Sequence, residues 1–198
     1  MRIRFLHGAA VLACAVLLQS GCSESADQTT DAAAKHKNGQ SVESKPAEVA
    51  LQPVDPKGYA AVLAKHRGKV VYVDFWATWC GLCRKEFSHT VELSRKYAHQ
   101  GLAVVSVSME LEPKSDREAA LEFLQAQQAT FTNLLSNIDI ENAFEAYDIE
   151  GGALPHYKLY DADGKLIKIF GGAPETPPDL KQIEAAIKAA LAAKNASP

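Results

Sequence analysis

Apolar residues follow two kinds of pattern along the chain, short unbroken runs and stripes with helical spacing. The runs Val70–Phe75 and Leu102–Met109 are rich in β-branched residues and predict central strands that are buried on both faces. The stripes predict helices, because apolar residues three or four positions apart lie on one helix face. The predicted helices are Pro56–Arg67, Cys80–His99, Ser115–Gln127, Ile138–Tyr147 and Pro178–Ala193.

Shorter signals complete the predicted order of elements. The remaining predicted strands are Phe131–Leu135, Tyr157–Tyr160 and Leu166–Phe170. Asp161–Gly164 carries turn residues and predicts that the last two strands form a hairpin. Ser115 followed three residues later by Glu118 is typical of a capping box at a helix start. Alternating strands and helices that end in a hairpin predict an α/β fold, with a central mixed β-sheet flanked by helices on both faces.

Two cysteines, Cys80 and Cys83, lie where the first long strand is followed by the longest predicted helix. A helix N-terminus carries about half a positive charge and stabilises a thiolate, which is the nucleophilic form of cysteine. The Cys-x-x-Cys spacing also occurs in zinc sites, but the other two cysteines, Cys14 and Cys22, lie in an apolar N-terminal segment. A structural disulfide is the alternative, although so small a loop constrains the unfolded chain little. We therefore predict a redox-active pair.

The segment around this pair, Val73–Cys83, resembles the active-site stretch of the thioredoxin superfamily. The continuation Arg84–Phe87 resembles the TlpA/ResA branch, whose members are membrane-tethered thiol–disulfide oxidoreductases of the bacterial cell envelope. The resemblance extends roughly from Val54 to Leu191. It implies a thioredoxin-like fold with a TlpA/ResA-type insertion, and a redox-active Cys80–Cys83 disulfide with no other cofactor.

The resemblance assigns chemical roles to four residues. Cys80 is expected to attack a substrate disulfide, and Cys83, one helical turn on, to resolve the mixed disulfide. Asp74 lies in a strand expected to be buried, where a lone carboxyl is costly, and the matching acid in thioredoxins relays a proton to the second cysteine. An Asp that only hydrogen-bonds to backbone is the alternative. Pro155, within Gly151–Pro155, matches the superfamily's cis-proline that faces the cysteines, the alternative being a trans proline at a strand start.

Four further residues are predicted to bind substrate. Trp79 is expected to shape an exposed apolar rim, and the Leu154 backbone to pair with a substrate strand. Glu86 matches an acid that ResA-type relatives use near the site, and a solvated first-turn Glu is the alternative. His156 stands where threonine is usual. It either lies near Cys80, where it can share a proton, or is merely a strand-start residue.

The same stretch departs from the TlpA/ResA pattern at two further positions, and it leaves one alternative function open. Leu82 replaces the proline common in this branch, which leaves the redox potential open, and Ser88 stands where another proline is frequent. The alternative function is a copper chaperone resembling the Sco proteins, with Cys80, Cys83 and His156 as ligands. Sco proteins space their cysteines by three residues, whereas two residues intervene here. The spacing favours the oxidoreductase, for which no metal site is expected.

The segment 1–22 is predicted to be a lipoprotein-type signal peptide. It begins with two arginines in the first four residues, and its apolar stretch Phe5–Leu18 is short for a membrane span. Leu17–Cys22 resembles a lipoprotein cleavage box, in which Cys22 becomes the lipid-modified first residue of the mature protein. Because Gln19 replaces the usual leucine, an uncleaved anchor and ordinary secretory cleavage stay open. All three place the domain outside the cytoplasm, where disulfides persist.

The composition of the remaining chain predicts a linker followed by one domain. Residues 23–50 are polar and contain no aromatic residue, which predicts a flexible linker, and residues 51–195 are the predicted thioredoxin-like domain. The net charge of −3 gives no reason to expect nucleic acid as a partner. The predicted partners are protein thiols and disulfides, together with a membrane protein that donates electrons, and the protein is expected to be a monomer.

Two residues bear on the direction of electron transfer, Asp74 and His156. A reductase is favoured, because Asp74 resembles the thioredoxin acid and because a protein tethered to the membrane can receive electrons there. The resemblance to ResA suggests apocytochrome c as a candidate substrate. A charged His156 near Cys80 would act in the opposite sense, since stabilising the thiolate makes the couple more oxidising.

Overall fold

The structure is a computed structural model that describes residues 48–171 and 178–196. The predicted signal segment, Cys22 and the predicted linker up to residue 47 lie outside the described residues. The domain boundaries at residues 22 and 50 therefore stay predictions. None of the helices in the described part of the chain is both long and apolar enough to cross a bilayer.

Within the described residues, six strands form a single mixed sheet, which confirms the predicted architecture. They are β1 Gln52–Val54, β2 Val70–Trp76, β3 Leu102–Ser108, β4 Thr132–Ser136, β5 His156–Tyr160 and β6 Leu166–Phe170. Their order across the sheet is β1-β4-β3-β2-β5-β6. The first four run parallel to one another, whereas β5 and β6 are each antiparallel to their neighbours. β2, which leads to the cysteines, is therefore a central strand.

Helices cover both faces of the sheet, as predicted. They are α1 Pro56–Lys65, α2 Gly81–Tyr97, α3 Arg117–Ala126, α4 Ile140–Ala146 and α5 Leu180–Ala196. Successive side chains of a strand point to opposite faces. Val73 and Phe75 of β2 thus pack on the side of α1 and α4, whereas Tyr72 and Trp76 pack on the side of α2, α3 and α5. Position along β2 or β5 decides whether a side chain can reach the cysteines at the start of α2.

The predicted capping box at Ser115 is wrong. Helix α3 begins at Arg117, and Asp116, at its N-cap, makes no capping hydrogen bond with its side chain. The Ser115 hydroxyl instead donates to the Glu112 carbonyl at 3.2 Å, because residues 113–116 form a turn before the helix. β1 has no counterpart among the predicted elements, since three residues are too few to show a pattern.

Candidate active site

Cys80 and Cys83 form a disulfide at the junction of β2 and α2. Cys80 is the N-cap of α2, and its sulfur accepts a hydrogen bond from the Cys83 N–H at 3.2 Å. This contact and the positive end of the helix both favour negative charge on the Cys80 sulfur once the disulfide is reduced. Cys80 keeps 8% of its surface exposed and Cys83 2%. Cys80 is therefore the residue better placed to meet an external sulfur.

The loop before Cys80 is fastened to the segment that follows β3. The Thr78 N–H donates to Glu110 Oε1 at 3.0 Å, and the Thr78 hydroxyl donates to Oε2 at 2.6 Å. The Ser108 hydroxyl donates to Oε1 at 2.5 Å, and the Glu110 side chain is buried. Glu110 is absent from the residues predicted to form the site. The one signal in the sequence is that Glu110 follows shortly after the predicted strand that pairs with β2 in the structure.

Trp79 is held by the same segment. Its indole N–H donates to the Met109 carbonyl at 3.0 Å, while 46% of the residue's surface stays exposed. Leu111, two residues after Met109, is exposed as well. Trp79 is thus in the exposed position expected of a rim residue, and its contact with substrate stays a prediction.

Glu110→Ala is expected to lower the free energy of unfolding by about 2–3 kcal/mol, because it leaves the Ser108 hydroxyl and the Thr78 N–H without their acceptor. Urea denaturation monitored by fluorescence measures the change. Glu112→Ala is the matched control, since Glu112 is exposed two residues further on, and its effect should stay within about 0.5 kcal/mol. Equal effects of the two substitutions would show that the Glu110 contacts do not stabilise the loop.

Asp74 lies on the α2 side of β2, directly opposite Tyr157 of β5. The side chain is buried, and its Oδ2 accepts a hydrogen bond from the Thr90 hydroxyl of α2 at 2.6 Å. Its Oδ1 has no hydrogen-bond partner among the described residues. Burial raises the pKa of Asp74 from 3.8 to about 7, and the Thr90 hydrogen bond opposes that rise. A carboxyl that titrates near neutral pH is suited to accepting and returning a proton.

The Leu154–Pro155 peptide bond is cis, as predicted. Leu154 is half-buried and packs against the same apolar cluster as Cys80 and Cys83. On the other side of this bend, Gly171 lies so close that a Cβ there would come within 2.5 Å of the Pro155 carbonyl oxygen. The structure therefore brings the cis-proline segment and the cysteine pair together, and Gly171 is a close-packed neighbour that no sequence signal marked.

His156 does not lie where a substrate-binding residue was expected. It pairs with Phe75 across the sheet and therefore lies on the α1 and α4 face, with its ring centroid 6.0 Å from that of Phe75. The side chain is buried, and neither ring nitrogen has a hydrogen-bond partner among the described residues. Burial, together with the charge of the nearby Lys158, lowers the pKa of His156 to about 4. The position near Cys80 is thus wrong, because His156 points to the other face of the sheet, and the alternative of a strand-start residue is confirmed.

Glu86 lies in the first part of α2, half-buried, with its carboxylate 3.9 Å from the Lys85 ammonium. Burial raises the pKa of Tyr157, and the charges of Asp74 and Glu86 raise it further. Glu86 therefore lies on the same side of the sheet as Asp74 and within electrostatic reach of Tyr157. This position is compatible with the role predicted near the site, and contact with substrate stays a prediction.

The ligand set of the copper-chaperone alternative does not come together. His156 is on the face of the sheet opposite to that of Cys80 and Cys83. Within residues 48–171 and 178–196, no three His, Cys, Asp or Glu side chains lie close enough to hold a metal ion. No observation in the described part of the chain favours that alternative.

The sequence from residue 42 to residue 187 matches the Redoxin family. This stretch is well over half of the chain and contains both cysteines, Asp74 and Pro155. The chain belongs to the Redoxin family. The match confirms the thioredoxin-like fold that the cysteine segment predicts.

Two relatives of this chain are both described as the thiol-disulfide oxidoreductase ResA. The chain is 34% identical over 134 residues to the thiol-disulfide oxidoreductase ResA of Geobacillus thermodenitrificans, an alignment that covers 68% of this chain and 72% of the relative. The ResA protein of Bacillus subtilis is 28% identical over 118 residues, and the alignment covers 60% of this chain and 62% of the relative, less than two thirds of its length. These likenesses confirm the ResA-type resemblance and support thiol–disulfide oxidoreductase activity.

Solved structures agree with this assignment. A structure described as that of a thiol:disulfide interchange protein DsbE from Chlorobium tepidum shares 32% identity and a TM-score of 0.54, over 65% of this chain and 84% of that chain. A secreted disulfide oxidoreductase of Mycobacterium tuberculosis shares 20% identity and a TM-score of 0.51, over 64% of this chain and 85% of that chain. The second likeness shows a common fold alone.

Proposed function

We propose that this Redoxin is a protein-disulfide reductase that acts outside the cytoplasm through Cys80 and Cys83. One observation carries the proposal: Cys80 caps α2 within the apolar cluster that Leu154, the residue before the cis-proline, also contacts. A sulfur activated by a helix N-terminus thus lies beside a backbone segment that can align a substrate strand. Attack by a thiolate on an aligned disulfide is the chemistry of thiol–disulfide exchange.

The proposed reaction has two steps. The Cys80 thiolate attacks one sulfur of the substrate disulfide, a mixed disulfide forms, and the second substrate sulfur leaves as a thiolate. Cys83 then gives its proton to Asp74 through an intervening water, as the thioredoxin resemblance implies, and attacks the Cys80 sulfur. The mixed disulfide breaks, the other substrate sulfur leaves as a thiolate, and the Cys80–Cys83 disulfide forms. Two electrons pass from the pair to the substrate, and a membrane protein that donates electrons restores the dithiol.

Two features of the site support reduction over oxidation. Asp74 has a pKa of about 7 and lies on the cysteine side of the sheet, which suits an acceptor that takes up the Cys83 proton through an intervening water. The pKa of His156 is lowered to about 4 by burial, so the ring is neutral at neutral pH, and it lies on the other face. His156 therefore supplies no positive charge to stabilise the Cys80 thiolate, which was the argument for an oxidant.

The reduction potential of the Cys80–Cys83 couple tests the proposal. After equilibration with glutathione, we expect a potential near that of thioredoxin, about −270 mV, and a value near that of DsbA, about −120 mV, would make the protein an oxidant. His156→Thr is expected to leave the potential unchanged, because the side chain is buried on the far face of the sheet. A changed potential in that variant would show that His156 acts on the pair.

The proposal extends to location and substrate. The cleavage box Leu17–Cys22 supports a lipid anchor on Cys22 at the extracytoplasmic face of a membrane. The ResA-type resemblance of the cysteine segment suggests apocytochrome c as a candidate substrate. Mass spectrometry of the mature protein is expected to find a lipid-modified N-terminal Cys22. An unmodified terminus elsewhere would refute the anchor and leave the redox proposal intact.

A further inference from the structure

The buried surroundings of Asp74 contain a polar side chain to which the reaction above assigns no role. Thr90, in the middle of α2, is buried and donates its hydroxyl hydrogen to Asp74 Oδ2 at 2.6 Å. A threonine inside a helix commonly turns its hydroxyl back to the carbonyl four residues earlier. Here the hydroxyl crosses from the helix to the sheet instead. The contact is therefore a tertiary one, between the helix that carries the cysteines and the strand that precedes them.

Helix geometry places this contact on the cysteine side of α2. Thr90 follows Cys83 by seven residues, about two helical turns, so both lie on the same face of the helix. Phe87, between them on that face, is buried as well. Asp74 Oδ2 is occupied by Thr90, and Oδ1 is the oxygen without a partner among the described residues. The two oxygens of one buried carboxyl thus have different surroundings.

We propose that Thr90 is a positioning residue for the proton transfer from Cys83: it holds Asp74 Oδ2 and leaves Oδ1 to receive the proton. This inference rests on the proposed function, in which Asp74 is the proton acceptor. In that step the S–H bond of Cys83 breaks and an O–H bond forms at Oδ1. The sulfur's electron pair attacks Cys80, and the substrate thiolate leaves.

The hydrogen bond also sets how readily Asp74 gives up its proton. Burial raises the pKa of Asp74, and the Thr90 hydroxyl opposes this, because a donor favours the carboxylate. The other titratable groups facing Asp74 from its own strand and from β5 are Tyr72 and Tyr157. Burial raises both of their pKa values, so they stay protonated near neutral pH. Glu86 of α2 acts on Tyr157, whose pKa its charge raises. Thr90 also lowers the pKa of Tyr72, but burial keeps that phenol protonated, so Asp74 is the group whose charge near neutral pH Thr90 can change.

The test compares Thr90→Val, which removes the hydroxyl and keeps the shape, with Thr90→Ser, which keeps the hydroxyl. The first readout is the titration of the Asp74 carboxyl in the oxidised full-length protein, followed by carbon-13 NMR. A hydrogen bond to a charged acceptor is worth roughly a tenfold change in the ionisation equilibrium. We therefore expect Thr90→Val to raise the midpoint by about one pH unit, and Thr90→Ser to shift it by less than about half as much. Thr132→Val, on β4, is the matched control and should leave the midpoint unchanged.

The second readout is the pH profile of the rate at which the reduced protein reduces a disulfide-bonded model peptide. In Thr90→Val, the rate at pH 6 should fall roughly tenfold while the rate at pH 9 stays near that of the wild type, because only the ionised fraction of Asp74 changes. The Thr90 substitution should have no further effect in an Asp74→Asn background. Any residual shift in that background would show that Thr90 acts by another route.

The outcomes separate the inference from the proposed function. An unmoved Asp74 titration in Thr90→Val, or an equal shift in Thr90→Ser, overturns the role of Thr90. If Thr90→Val shifts the Asp74 titration but leaves the pH profile of the reduction rate unchanged, the role of Thr90 is also overturned, since Thr90 would then tune a group that the reaction does not use. A wild type that reduces no disulfide at any pH overturns the proposed function itself. Should Thr90→Val fail to fold, Thr90→Ala provides the same comparison against Thr90→Ser.

Discussion

Cys83→Ser is expected to trap the substrate on Cys80 as a mixed disulfide, whereas Cys80→Ser is expected to abolish exchange, with a loss of turnover on the order of a thousandfold or more. The two variants should differ because the proposed reaction assigns the first attack to Cys80, at the N-cap of α2, and the resolving attack to Cys83, which is the more buried. A hydroxyl at either position cannot replace a thiolate at neutral pH.

Non-reducing electrophoresis and mass spectrometry of the variants after mixing with a disulfide-bonded model protein measure this outcome. Ser88→Ala, an exposed change on the same helix, is the matched control and should turn over like the wild type. Brief alkylation of the reduced wild type near neutral pH should modify Cys80 first. An adduct trapped on Cys83 in the Cys80→Ser variant, or preferential alkylation of Cys83, would reverse the assigned roles.

Asp74→Asn is expected to stabilise the folded protein by about 3 kcal/mol at pH 8 and to have little effect at pH 4. Burial raises the pKa of Asp74 from 3.8 to about 7 in the folded state. At a pH between these two pKa values, the folded protein therefore keeps a proton that the unfolded protein has released. Stability from this group is therefore greatest at low pH and is lost as the pH rises toward 7. Asparagine removes the charge, although its amide hydrogens gain no obvious partner in the site.

Urea denaturation at pH 4, 6 and 8 checks this prediction, with the difference between variant and wild type taken at each pH. Asp163→Asn, an exposed change in the β5–β6 turn, should show no such growth of the difference with pH. A difference that is constant with pH, or an Asp74→Asn protein that is less stable at pH 8, would contradict a raised pKa at Asp74.

Stability and activity make opposite demands on Asp74. Asp74 costs stability at neutral pH, which a purely structural role would not require, and the proposed reaction uses it as the proton acceptor. We therefore expect Asp74→Asn to be more stable and slower, a combination that is common when a residue is strained or desolvated for function.

Much of the fold could be predicted from local patterns, because each pattern is set by residues close together in the chain. The apolar run of β2 and the periodic stripe of α2 determined where strand and helix lie, and Cys80 and Cys83 necessarily fall at their junction. The cis bond at Pro155 was likewise predictable, since it depends on a proline in a recognisable segment. Errors occurred where the local signal was short or ambiguous, as at the three-residue β1 and the turn before α3.

The amino-acid sequence by itself determined most of the elements and the place of Cys80 and Cys83 at a strand–helix junction, and it predicted that Asp74 is buried. The tertiary structure alone decided which distant side chains meet. Glu110 meets Thr78 across 32 residues, and Thr90 meets Asp74 across 16, because neighbouring strands and a packed helix bring them within hydrogen-bond distance. It also decided that His156 faces away from the cysteines, since strand pairing with Phe75 sets the side of the sheet on which that ring lies.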